Sequence, residues 1–87
     1  MLICEVIGHV WATKKEASLS GLKLMVVQVL TPDCQPTDRT FVAADVVGAG
    51  IGERVLTVSG STARRAFGKE ELSADAAIVG IIDSVET

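Results

Sequence analysis

Gly48-Ala49-Gly50-Ile51-Gly52-Glu53, followed by Arg54-Val55-Leu56-Thr57-Val58-Ser59, is the stretch on which the fold turns. A Gly-x-Gly-x-Gly run can open a dinucleotide site, but that fingerprint needs G-x-G-x-x-G between a strand and a helix. Here the third glycine comes one residue early, and Arg54 to Ser59 alternates as a strand. A phosphate would find no helix N-terminus. The ending Gly-Lys-Ser/Thr of a Walker loop is also missing. The glycines therefore read as a tight turn, or as a place where backbone approaches a neighbouring chain closely.

On either side of this turn the chain keeps a period of two. The first strand is expected from Leu2 to about Lys14, with Leu2, Cys4, Val6, Gly8, Val10 and Ala12 on one face. Ile3, Glu5, Ile7, His9, Trp11 and Thr13 share the other, and Gly8 suggests a bend or bulge. Lys15 to Gly21 is a polar turn. Leu22 to Thr31 forms the second strand, with Leu24, Val26 and Leu30 opposite Met25, Val27 and Val29. Pro32 to Asp38 reads as a loop rich in turn formers.

The third strand covers about Arg39 to Val47 and the fourth Arg54 to Ser59. Ser61 is placed to cap a short helix from Thr62 to Phe67, which Gly68 ends. After the polar Lys69 to Ala74, the last strand is expected from Ala76 to Val85. Five strands, one short helix and short connections describe a mostly β chain, a small OB-like barrel.

The 87 residues make a single domain, 1–87, and a chain this small is marginal as a monomer. The first, second and last strands are apolar on both faces, yet a barrel interior takes only one face of each. One short helix cannot cover three strands. The surplus predicts burial against other copies of the chain.

Composition narrows the partners. A net charge of −3 and 3% aromatic residues argue against nucleic acid, which needs positive charge and stacking surfaces. No apolar run is long enough to span a bilayer as a helix. The opening Met1-Leu2-Ile3-Cys4-Glu5 lacks the basic start of a secretion signal. Cys4 and Cys34 form no C-x-x-C and read as reduced thiols.

Each candidate for chemistry has a plainer reading. His9 is the only histidine and has no partners at ligand spacing, so it reads as a surface or interface residue. Glu5, Glu53, Glu70 and Glu71 could pair as acid and base only if they converged across a cleft; Glu70-Glu71 reads as solvated charge. Arg64-Arg65 suggests an ion pair or an interface contact before an anion site. Ser59-Gly60-Ser61 is not a nucleophile elbow. The expectation is a non-catalytic protein with no cofactor and no metal. The alternatives are a monomeric OB-type module for nucleic acid or oligosaccharide, and a small enzyme whose site is shared between protomers.

The run Asp45 to Arg64, DVVGAGIGERVLTVSGSTAR, resembles the signature of bacterial microcompartment vertex proteins of the EutN/CcmL type. Gly21 to Val27, Ala77 to Asp83 and Val6 to Thr13 are similar to that family's second, last and opening strands. The resemblance implies an OB-like barrel that forms a homopentamer in the bacterial cytoplasm. Its place would be the five-fold vertices of a shell whose facets are hexameric and pseudohexameric tiles.

The resemblance also implies an assembly role for Asp45, Gly48, Ala49, Gly50, Gly52, Glu53, Ser61 and Arg64, with at least one ion pair or backbone cap among the charged ones. Thr62 stands where the family often has Ser. The chain stops at Thr87, where some relatives carry a further tail.

Overall fold

Strand β2 (Lys23–Leu30) lies between β1 (Leu2–Val10) and β3 (Pro36–Asp45), antiparallel to both. In this computed structural model, which describes residues 1–13, 15, 17–19, 21–60, 63, 66 and 76–87, β4 (Arg54–Ser59) and β5 (Ala76–Ile81) close the barrel. The order around it is β1-β2-β3-β5-β4, and only the β3–β5 pairing is parallel. Met25, Val27 and Val29 point inward from β2 and meet Cys4, Val6, Ala43, Val55 and Ile78 in one core. Closure gives every strand a neighbour on both sides, though β3 and β5 meet only at Ala44–Ala77 and Asp45–Ile78, and β-branched and small side chains fill the narrow interior.

The expected bulge in β1 lies between Val6 and Gly8, and it corrects the face assigned to His9. Before it, Val6 pairs with Val27; after it, Gly8 pairs with Val26 and His9 with Met25. Directly opposed residues share a face. One extra residue therefore moves His9 to the side of Val6 and turns Gly8 and Val10 outward, while Ile7 is left exposed.

Several strand ends also differ from expectation. Strand β1 stops at Val10, not Lys14: its ladder with β2 ends at the Val10–Leu24 pair, and β2 itself begins at Lys23. Strand β3 begins at Pro36, inside the stretch read as loop, and ends at Asp45, not Val47. Proline is tolerated as a first strand residue, and Thr37 anchors the start by donating its hydroxyl to Val29 O at 2.7 Å. The Gln28 side-chain amide donates to Thr37 O at 2.8 Å.

The true turn is shorter. Thr31 N–H donates to Gln35 O at 2.8 Å, Cys34 N–H donates to Thr31 O, and Thr31 Oγ1 hydrogen-bonds the Asp33 carboxylate. Strand β5 ends at Ile81, not Val85: Ile82 N–H still donates to Arg54 O at 2.9 Å, but Arg54 is the first residue of β4 and the ladder goes no further.

A 3-10 turn at Ala17–Leu19 sits in the stretch expected to be a polar turn. Gly60, Ala63 and Ala66 are helical. Ala63 is buried with Val58 and Ala77, and Val79 packs on this second cluster. That covers part of the outer face of β4 and β5. The Ser61 cap, the Gly68 stop and the Lys69–Ala74 segment lie outside the described residues, as do Arg64, Arg65, Glu70 and Glu71.

Candidate assembly site

Where β3 ends, Asp45 becomes the hub of the glycine-rich loop. Its Oδ1 accepts the amides of Val47 at 2.9 Å and Gly48 at 3.1 Å, and Oδ2 accepts that of Ala49 at 2.7 Å. A carboxylate bonded to three successive amides ends the strand, because those amides are diverted from any ladder. Gly48 takes a φ of 79°, a left-handed value that only glycine adopts without steric cost.

Lys23, at the start of β2, supports the same loop. Its Nζ donates to Ala49 O at 2.7 Å and lies 3.7 Å from Asp45 Oδ2. The Asp45 side chain is almost wholly buried while the Lys23 side chain is partly exposed, so the cation's far side stays solvated. Ala49 is fully buried and belongs to the main core, so the loop is fastened by packing as well as by polar bonds.

The far arm is held by β1 and Glu53. Gly52 N–H donates to Val6 O at 2.8 Å, and Val6 N–H donates to Glu53 O at 3.0 Å. Glu53 Oε1 accepts the amide of Gly50 at 2.6 Å. Gly52 has a φ of 93°. Gly48 and Gly52 are thus required by the turn itself. At Gly50 an added Cβ would lie 3.4 Å from Glu53 Oε1 and, among the described residues, meet nothing else within 4 Å.

Six of the eight residues singled out in sequence, Asp45, Gly48, Ala49, Gly50, Gly52 and Glu53, therefore form one braced loop. Ser61 and Arg64 lie outside the described residues. Both charged residues that are described act as backbone caps. Sequence reading missed Lys23; its only signal was a lone cation opening an apolar strand. It also missed that Val46, Val47 and Ile51 keep their side chains exposed on this fixed frame.

The other titratable candidates sit elsewhere. His9 stacks on Trp11 with ring centroids 4.0 Å apart and planes within 3°. Cys4 and Cys34 are both free thiols. Burial pushes the Cys4 thiol above its ordinary pKa; a hydrogen bond with Thr57 and the charge of Arg39 oppose this. It is therefore protonated and a poor nucleophile near neutrality. Among the described residues, no three of His, Cys, Asp and Glu are gathered as a metal would require.

Residues 1–83 match the family model "Ethanolamine utilisation protein EutN/carboxysome". The chain belongs to the EutN/CcmL family. It is 51% identical over 87 residues to the microcompartment shell vertex protein GrpN of Rhodospirillum rubrum, covering 100% of this chain and 98% of that protein. It is 47% identical over 85 residues to the carboxysome shell vertex protein CcmL of Synechocystis, covering 98% and 85%. The solved structure of GrpN, described as a pentameric microcompartment shell protein, superposes with a TM-score of 0.92 at 48% identity, covering 100% of this chain and 99% of that one. CcmL of Gloeobacter violaceus gives 0.94 at 42% identity, covering 100% and 90%. The family membership and the barrel expected from the sequence both hold.

Proposed function

We propose that this protein is a non-catalytic structural component that assembles as a homopentamer. It caps the five-fold vertices of a bacterial microcompartment shell in the cytoplasm, beside hexameric and pseudohexameric tiles. The observation that carries this reading is the match to GrpN along nearly the full length of both chains in sequence and structure. A flat hexagonal sheet cannot close on itself, and five-fold positions introduce the curvature it lacks. That role asks for a rigid shape, and the bracing of the loop from Asp45 to Glu53 supports the reading.

Native mass spectrometry of the purified protein tests the reading directly. The expected mass is that of five chains. A stable single chain at high concentration would overturn it.

A further inference from the structure

Trp11 is 83% exposed, yet its ring is held in place. One face of the indole lies on His9, with centroids 4.0 Å apart and planes within 3°. The end of β1 produces this stack. After the bulge, His9 pairs with Met25 and Val10 with Leu24, so the ladder fixes the chain up to Val10. Trp11 comes next, two residues beyond His9, and side chains at i and i+2 of an extended chain share a face. His9 is partly buried and anchors the stack. The second face of the indole is left open to solvent.

The returning chain builds the opposite wall. Leu22 N–H donates to Leu19 O at 3.1 Å, Gly21 takes a φ of 81°, and β2 starts at Lys23 beside the end of β1. Between the two arms lies a cleft of about 290 Å³, lined among others by His9, Val10, Trp11, Lys15, Leu22 and Lys23. Among the described residues its lining holds two lysines and no acid, although the chain as a whole carries a net charge of −3.

Both lysines can serve an incoming anion. Lys15 is exposed. Lys23 gives one N–H to Ala49 O, and the Asp45 oxygens beside it are already taken by the loop amides. An ammonium has three donors, and the Lys23 side chain is 40% exposed, so part of it still faces outward.

An open indole face stacks on a planar ring, and lysines hold a charged oxygen as point charges. The volume lies just under the roughly 300–1,000 Å³ of small-molecule sites, so the occupant is small. One stacking platform does not make the track of several that a nucleic-acid strand requires. We propose that this cleft binds a small planar aromatic anion, with its ring on the open face of Trp11 and its phosphate or carboxylate held by Lys15 and Lys23. The site is built within one chain, so it stands or falls independently of the pentameric reading.

Trp11 is the only tryptophan, so its fluorescence reads the cleft directly. The test titrates the intact protein with AMP, with benzoate and with adenosine, and repeats the binding of the better anion by calorimetry on variants. The expected result is saturable quenching by AMP or benzoate at about 1 mM or below, with adenosine at least about tenfold weaker. The better of the two anions tells phosphate from carboxylate. Trp11→Ala should weaken the calorimetric binding by about tenfold or more, and Lys15→Ala by about threefold. Both side chains are exposed, so the circular dichroism of the variants should match the wild type. Quenching by neither anion, adenosine binding as tightly as AMP, or Trp11→Ala binding as well as the wild type would each overturn the proposal.

Discussion

Asp45 Oδ2 accepts the Ala49 amide at 2.7 Å, and both residues are buried. With Oδ1 serving Val47 and Gly48, one carboxylate satisfies three amides of the loop. Asp45→Ala would leave the buried Ala49 amide and the Lys23 ammonium without that acceptor. We expect a loss of about 3 kcal/mol in urea unfolding, a figure for removing charge-assisted bonds and leaving a buried donor unpaired. Asp45→Asn keeps one acceptor oxygen and should lose less. Equal stability of Asp45→Ala and the wild type would show that the loop is held by packing alone.

The glycines should separate by conformation and not by position in the motif. Gly48→Ala and Gly52→Ala each force a side chain into the left-handed region, at about 1–2 kcal/mol. Among the described residues Gly50→Ala meets only Glu53 Oε1, and it should change the stability of the isolated fold by less than about 0.5 kcal/mol. Gly50→Val should disturb the assembled ring beyond its effect on the fold, where added volume meets a neighbouring chain. Normal five-chain assembly of Gly50→Val would rule out that close approach.

Cys34 shows the opposite case, since it sits at a φ of 66° without being glycine. Relief of this conformation is offset in part by glycine's greater freedom in the unfolded chain. Cys34→Gly should therefore gain about 0.5 kcal/mol by thermal or urea unfolding, the balance of the two terms. A loss of stability would mean that the Cys34 side chain contributes packing that its position does not suggest.

The two thiols should differ in reactivity. Cys34 is half-exposed and Cys4 is fully buried, so a thiol reagent should modify Cys34 quickly and Cys4 only on unfolding. Burial raises the Cys4 pKa in the folded state above its ordinary 9.0. The folded protein then holds that proton more tightly than the unfolded chain. Its contribution is complete below pH 9.0 and is lost as pH rises through the folded value. Stability should fall above pH 9.0, and Cys4→Ala should remove that part of the fall.

Alternation was enough to find all five strands, and it placed β4 to the residue because Arg54 to Ser59 is bounded by glycine on both sides of a short run. It failed at the ends of β1 and β5, where apolar sequence continues past the last available partner. Pro36-Thr37-Asp38 was misread because residues that favour turns can also begin a strand exposed to solvent. His9 was assigned to the wrong face because a bulge reverses every later residue, and a glycine marks the place without saying whether the register slips.

The amino-acid sequence by itself determined the strand count, the barrel class, the family and the loop that matters, since periodicity and a glycine motif are local signals. Tertiary structure alone decided that Lys23 braces Asp45 from 22 positions away, that Asp45 ends its strand, and that Val46, Val47 and Ile51 face outward. Those facts follow from closing five strands into one ring, which brings distant residues together and leaves some apolar side chains with no room inside.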